Sequence, residues 1–282
     1  MSGEYFGYEH HPQVKLWAKI RATNRPIHAS VANKEDGPFY CPDTYEELII
    51  RKCVEKIDHF AYKSRLSPVY GTAESKLHYE CKMEICNELK KIFQNGNWDV
   101  ERTIPPNKDK GFEKLVPDIS GRINGKPVVI EVQASSLTLP KILKRVNGYF
   151  LRNVSILWIV PLKEDLGCET FRPRQYERYL HSMYYGRVYY WQKGHGLTLT
   201  PVHFDGADRY IEESHWFEED GTECSAGGYY KRYKTIFKPN FGERVNIKDF
   251  IIHEREEFIP ENEDKTIPRS LIFKDRLKNW WT

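Results

Sequence analysis

Cysteine is scarce, with six residues at positions 41, 53, 81, 86, 168 and 224 of a 282-residue chain. So scattered a set excludes a disulfide-built scaffold and points to reduced thiols in a cytoplasmic protein. Long apolar runs are missing too. The longest, Ile156-Leu157-Trp158-Ile159-Val160, is strand length and far short of the ~20 residues that span a bilayer. The N-terminal stretch lacks a basic start followed by an apolar segment, so no secretory signal and no membrane partner are expected. Neither charge sign dominates. Against 43 Lys plus Arg stand 40 Asp plus Glu, and a net charge of +3 argues against a histone-like or basic-tail protein. No internal repeat is visible. What the chain does have is aromatic content, 14%, beside 40% hydrophobic and 29% charged residues. That composition belongs to a folded chain with broad aromatic surfaces, and the length allows one large domain or two modest ones.

Residues 1–38 show little periodicity and read as peripheral. From 39 to 66 a small hairpin unit is expected, with Phe39-Tyr40 leading in and Leu48-Ile49-Ile50 as a strand. Leu77, Cys81, Ile85 and Leu89 then form an i, i+4 stripe, which predicts a long helix from about Ala73 to Phe93, with Thr72 as its cap. A short strand follows at 98–103. Asn124-Gly125, set between apolar strands, is the strongest short-range hairpin signal. The strand after it, the helix expected over 139–150 and the buried strand at 154–160 make a β-α-β crossover, so the two strands should be parallel. Farther on, 174–185 reads as helical, and Arg187–Gln192 with Leu197–Phe204 as a hairpin. Residues 205–282 mix aromatic and charged side chains without a period, and the end, with its Trp280-Trp281, reads as a solvated tail.

The Asn-Gly hairpin carries the chemistry. With those two residues as the turn, Ile123 faces Lys126, Ile119 faces Ile130, and Asp118 faces Glu131. Two carboxylates on one rung repel. A divalent cation shared between them would compensate, and hard oxygen ligands suit Mg²⁺ or Mn²⁺. Glu131 and Gln133 share one strand face while Val128, Ile130 and Val132 share the other. A solvated polar face would explain this equally well for a surface hairpin. The crossover instead buries the strand on both sides, where an uncompensated carboxylate is costly. The long helix adds Glu74, His78 and Lys82 at one-turn steps. Alone, that spacing describes a salt-bridged surface.

Glu on a helix, then Pro117-Asp118, then Glu131-Val132-Gln133 resembles the PD-(D/E)xK nuclease superfamily. A closer likeness is to the competence protein CoiA-like family, over about residues 39–161. It rests on Phe39-Tyr40-Cys41-Pro42 with Asp58-His59-Phe60-Ala61, on Glu74 through His78 with Lys82, and on Val116 through Ser135 with Arg145, Tyr149 and Leu157-Trp158-Ile159. Gln133 stands where the superfamily usually has lysine and fits the Glu-x-Gln variant. Lys82, His78, Lys141 and Lys144 are candidates for the lysine's work. The family's zinc-ribbon-like start keeps Cys41 and His59 here but has Thr44 and Tyr62 at the other ligand positions. Even with Cys53, three groups do not close a structural zinc site, so no zinc is expected.

The resemblance implies an α/β fold: a restriction-endonuclease-like core, a mixed central sheet flanked by helices, between an N-terminal zinc-ribbon-like hairpin module and a β-rich C-terminal extension. The expected divisions are 1–66, 67–165 and 166–282. It implies a Mg²⁺- or Mn²⁺-dependent deoxyribonuclease acting in recombination, mobile-element handling or phage defence. Asp118, Glu131 and Glu74 would hold the metal. Gln133 would position the nucleophile, and Lys82 or His78 would neutralise the phosphate. Lys141, Lys144 and Arg145 would contact the DNA backbone, with a basic solvated helix face as the plainer alternative. The expected partner is DNA, single-stranded or branched if Tyr184-Tyr185 to Tyr189-Tyr190-Trp191 stack on bases, though core packing is the more ordinary role of such a run. Residues 166–282 are a candidate protein-docking module. The competing reading is a catalytically inactive nucleic-acid-binding or scaffold protein on a nuclease fold.

Overall fold

The structure is a computed structural model that describes residues 15–42, 45–53, 58–63, 65, 67–68, 76–134, 138–217, 222–260 and 266–281. The chain divides into two compact units. One joins Met1–Arg65 to Asp208–Lys234, and the other joins Leu66–Ala207 to Thr235–Thr282.

In the first unit, β1 (Trp17–Ile20), β2 (Pro26–His28), β3 (Phe39–Tyr40), β4 (Glu47–Arg51) and β5 (His59–Tyr62) form an antiparallel sheet in the order β2-β1-β3-β4-β5. The expected hairpin is the β4/β5 pair, but it is one edge of a larger sheet. Residues before 39 are therefore not peripheral. Their strands escape a periodicity search because the small core's buried positions there are alanines, Ala18, Ala29 and Ala32, which carry little β signal. Phe39 and Phe60 meet edge to face at 5.0 Å at the centre. Cys41 is buried in the same cluster and accepts a hydrogen bond from the Tyr62 hydroxyl at 3.3 Å, while Cys53 Sγ lies 3.9 Å from His59 Nδ1.

The second unit begins with α1 (Lys76–Ile92), whose Cys81, Ile85, Cys86 and Leu89 face the core as the stripe predicts. β6 (Asp99–Val100), β7 (Ile119–Ile123) and β8 (Lys126–Val132) follow, then α2 (Leu139–Phe150) and β9 (Ser155–Pro161). β7 and β8 pair antiparallel with Ile119 opposite Ile130 and Ile123 opposite Lys126, in the register the turn requires and without a bulge. Asn124 (φ 49°) and Gly125 (φ 76°) both lie in the left-handed region, which a two-residue hairpin turn demands and which glycine adopts freely. β8 and β9 run parallel, and every residue of β9 is buried, as the crossover implies.

After α3 (Gln175–Met183) and β10 (Val188–Trp191) comes the long β11 (Thr198–Ile211). β12 (Ser214–Phe217) and β13 (Glu223–Ala226) make a separate hairpin, and β14 (Tyr229–Phe241) returns along β11. β15 (Val245–Asn246), β16 (Ile251–Arg255) and β17 (Ser270–Lys274) complete the chain's strands. The large mixed sheet runs β14-β11-β10-β9-β8-β7-β6 and forks at β9, where β17 pairs in parallel beside Ile156 while β10 pairs in parallel beside Val160 and Pro161. Segments past residue 165 thus supply strands to the same sheet as β7 to β9. The boundary expected at 165/166 falls inside one unit.

One open alternative closes here and one expectation changes. Tyr184, Tyr189, Tyr190 and Trp191 are at most 1% exposed, so they are core and offer no stacking platform. The chain's end is packed rather than solvated. Arg187 donates to Asp275 Oδ1 at 2.7 Å and to Asn279 Oδ1 at 3.0 Å, and its guanidinium sits 5.1 Å and 5.3 Å from the Trp280 and Trp281 ring centres. Trp281 stacks on His203 at 4.0 Å.

Close packing also fixes the site hairpin from behind. A Cβ on Gly121 would stand 2.3 Å from the Trp98 ring, and Trp98 is itself buried. Gly121→Ala is expected to destabilise by about 2–3 kcal/mol through overpacking, read as a lowered midpoint in urea. An unchanged midpoint would mean that Trp98 moves aside freely.

Candidate functional site

The β7/β8 register sets Asp118, just before β7, beside Glu131 in β8. Asp118 Oδ2 accepts the Val132 backbone N–H at 2.8 Å, which pins the carboxylate to the neighbouring strand. Its Oδ1 lies 3.4 Å from His78 Nε2 and 3.9 Å from Lys82 Nζ, both on α1. Burial alone would raise the Asp118 carboxyl. The bond and charge of His78, the Val132 N–H and the Lys82 charge outweigh it and hold Asp118 below its ordinary value.

Lys82 is only 3% exposed on its side chain, unusually deep for an ammonium, and pairs with Glu101 Oε1 at 2.5 Å. Glu101 sits at φ 50°, a left-handed backbone that a glutamate seldom adopts, and its N–H donates to the Asp118 carbonyl at 3.0 Å. Strain of this kind collects where surrounding structure imposes it, often at functional sites.

Glu131 is 2% exposed. Arg145 donates to its Oε1 through Nε at 2.9 Å and Nη2 at 2.5 Å, and the Tyr149 hydroxyl donates to the same oxygen at 2.5 Å. Arg145 Nη2 also reaches the Val116 carbonyl at 2.8 Å. Burial pushes the Glu131 carboxyl up to about 8, with Arg145 opposing the rise and the nearby Asp118 charge adding to it. Burial and Glu131 together push the Tyr149 hydroxyl well up. Two neighbouring carboxylates are thus driven apart, one kept ionised and one poised to hold a proton, a pattern typical of acid–base sites.

Both line a cavity of about 440 Å³ together with His78, Gln133, Lys141 and Lys144. Gln133 is 5% exposed, and its backbone N–H donates to the Ile159 carbonyl at 2.7 Å. Lys144 pairs with Glu113 at 2.6 Å, both side chains being mostly exposed. Of the sequence-derived set, the structure brings His78, Lys82 and Asp118 together, adds Glu131 and Gln133 beside them, and places Lys141 and Lys144 on the cavity wall. Arg145 is turned inward onto Glu131, away from the outward role expected of it. Glu74 lies outside the described residues. Before it in the chain, Ser67 N–H donates to the Arg172 carbonyl at 3.2 Å, and the Ser67 hydroxyl bonds Glu177, which is fully buried.

Two residues at the site, Glu101 and Tyr149, are not among the expected site residues, although Tyr149 is part of the resemblance. Glu101 lies in a short strand's polar flank and carries no spacing signal. Tyr149 does carry one, since Ile142, Arg145, Val146 and Tyr149 share a helical stripe, and an arginine inside an apolar stripe implies a buried acid.

Among the described residues, no group of three or more His, Cys, Asp or Glu is arranged to hold a metal ion. The donor chemistry still fits a hard divalent cation in part. Asp118 and Glu131 offer carboxylate oxygens, and the Glu131 hydrogen bonds all fall on Oε1.

Residues 74–190 match the family model of the competence protein CoiA, nuclease-like domain. That stretch is CoiA-like. The CoiA-like segment begins at Glu74, runs from α1 to β10 and contains every candidate site residue. It starts later than the likeness expected from residue 39 and ends later than 161, within β10, the parallel neighbour of β9. No curated protein and no solved structure matches the chain. Among the described residues, no helix is long and apolar enough to cross a membrane.

Proposed function

We propose that this protein is a Mg²⁺- or Mn²⁺-dependent nuclease that hydrolyses DNA phosphodiester bonds. The supporting observation is the Asp118–Glu131 pair, one just before β7 and one in β8 of a CoiA-like segment, with His78 and Lys82 against Asp118. The mixed sheet with α1 and α2 is read as a restriction-endonuclease-like core. Asp118 and Glu131 would hold the cation, with Glu74 completing the set. When bound, it polarises the scissile phosphate and lowers the pKa of a water.

The chain's own groups divide the remaining work. The His78 ring and the Val132 N–H fix the orientation of the Asp118 carboxylate. Lys82 takes the place of the lysine missing at position 133. Its ammonium is buried beside Asp118 and supplies positive charge where a phosphoryl oxygen gains negative charge. Gln133 orients the nucleophile through its amide without accepting its proton. Lys141 and Lys144 attract the phosphate backbone at the rim. Arg145 and Tyr149 compensate Glu131 while no cation does. Recombination, mobile-element handling and phage defence are the settings that suit such an activity.

A second reading is favoured by one observation. With Arg145 and Tyr149 capping Glu131, and Gln133 in place of lysine, the site also suits a catalytically inactive nucleic-acid-binding scaffold. A cleavage assay separates the two. Single-stranded, duplex and branched DNA are incubated with Mg²⁺ or Mn²⁺, comparing wild type with Asp118→Ala and Glu131→Ala. Cleavage by wild type that disappears in both variants is expected. Binding of DNA without cleavage of any substrate would sink the enzymatic reading and leave the scaffold.

A further inference from the structure

The only long, exposed aromatic strand among the described residues lies in the unit that joins Met1–Arg65 to Asp208–Lys234. Residues 229–234 of β14 read Tyr-Tyr-Lys-Arg-Tyr-Lys, three tyrosines and three cations with no aliphatic residue among them. None of the six is buried. Tyr229 is 52% exposed and Tyr230 is 74% exposed, where the protein's other large aromatics are mostly core. Strand alternation puts Tyr229, Lys231 and Tyr233 on one face and Tyr230, Arg232 and Lys234 on the other, so each face mixes rings with cations.

The neighbouring β11 braces these side chains. Tyr210 and Tyr230 meet with ring centres 5.1 Å apart, and the Arg209 guanidinium lies 5.6 Å from the Tyr233 ring centre. Arg232 pairs with Asp208 at 3.3 Å, but both side chains are largely exposed and that pair is weak. Among the described residues, the remaining acids of this β11–β14 arm, Glu212, Glu213 and Glu223, lie past the end of this stretch, toward β12 and β13. The arm is therefore polarised, basic and aromatic along 229–234 and acidic beyond it.

We propose that the Tyr229–Lys234 stretch of β14 binds single-stranded nucleic acid, with its tyrosines stacking on bases and Lys231, Arg232, Lys234 and Arg209 facing phosphates. Charge complementarity selects the occupant. A protein interface core is depleted of lysine and rich in apolar contact, and this strand offers Lys231, Arg232 and Lys234 with no aliphatic side chain. A duplex hides its base faces, whereas unpaired bases present them to any exposed ring. The acidic end repels the backbone and confines the ligand to the basic stretch.

The test uses the full chain, without divalent cation, and fluorescence anisotropy of labelled oligothymidylate, its uridine counterpart and a duplex of equal length. Tyr229→Ala/Tyr230→Ala/Tyr233→Ala is expected to weaken single-strand binding at least about tenfold. The same three changes to Phe keep the rings and should keep the affinity within about twofold. Lys231→Gln/Arg232→Gln/Lys234→Gln should lower the slope of log K against log salt by roughly 2. Wild-type affinity in both the Ala and the Gln variants would overturn the proposal and leave this face to a protein partner. So would equal affinity for the duplex, equal loss in the Phe variant, or binding abolished only by Lys141→Ala/Lys144→Ala. The thymidine and uridine arms decide between DNA and RNA. Because no metal enters the assay, the outcome stands whether or not the cavity cleaves.

Discussion

Arg145→Ala is expected to lower folding stability by about 3 kcal/mol near pH 10 and by far less at about pH 7 and below. Removing one partner of a buried ion pair strands the other, and Glu131 is only 2% exposed on its side chain. Arg145 keeps 30% of its side-chain exposure, so the loss belongs at the low end of the usual range. The pH dependence follows from the direction of the Glu131 shift. Burial raises that carboxyl to about 8, above the ~4.3 of an unfolded chain. A group raised on folding contributes stability that is whole below its unfolded value and is lost as pH climbs through its folded value. Arg145 opposes the rise, so without it Glu131 moves higher and its ionised form becomes costlier. The gap between wild type and variant should stay level from about pH 4.3 to 8, where both folded forms hold the proton, then open above about pH 8 and keep widening as only the wild type ionises. Urea titrations across that range check it. A gap of constant size would show that Arg145 acts through packing and its bond to the Val116 carbonyl alone. Arg145→Lys should recover little, because an ammonium cannot present two donors side by side to one oxygen.

Arg187→Met should cost about 3–5 kcal/mol, the largest single loss expected in this fold. Arg187 and Asp275 are 3% and 2% exposed on their side chains, so this pair is more deeply buried than the one at the cavity. Met restores volume but leaves Asp275 with only the Tyr189 hydroxyl at 2.6 Å and the Leu277 N–H at 2.6 Å. Two indole rings also lose the cation that they flank. In a chain of this size the melting temperature should fall by roughly 6–15 °C. Arg187→Met/Asp275→Leu should recover much of the loss, because it removes the stranded charge as well as the pair. A double variant no more stable than the single one would show that the cation's contacts with Trp280, Trp281 and Asn279 matter more than its charge balance with Asp275.

The part of the fold that was legible in the sequence is the part fixed by local rules. Asn124-Gly125 dictates a turn, the turn dictates register, and register alone sets Asp118 beside Glu131. The α1 stripe and the β8-α2-β9 crossover are local in the same sense. What stayed hidden depends on distant partners. Nothing near residue 272 announces a parallel strand beside Ile156, and nothing near Trp281 announces a stacking contact with His203. Tyr189 and Tyr190, in β10 between β9 and β11, are buried, while Tyr229 and Tyr230 look no different in sequence and remain exposed. At the site, the acids were found because they share one hairpin. Read by charge alone, α2 makes Arg145 a surface cation, although it shares the Ile142/Val146/Tyr149 stripe and turns inward onto Glu131.

The fork at β9 bears on how this chain can fold at all. β9 takes neighbours from three separate stretches, and one of them, β17, must travel back across roughly a hundred residues to reach Ile156. Pairings of such sequence separation lose chain entropy before any contact rewards them, so the sheet should assemble slowly and as a whole. A fragment ending near residue 165 would leave one side of a fully buried strand bare, an open template for pairing with another chain. The CoiA-like stretch includes β10 but stops before β17, so excised at its own limits it should be an aggregating piece rather than a small nuclease.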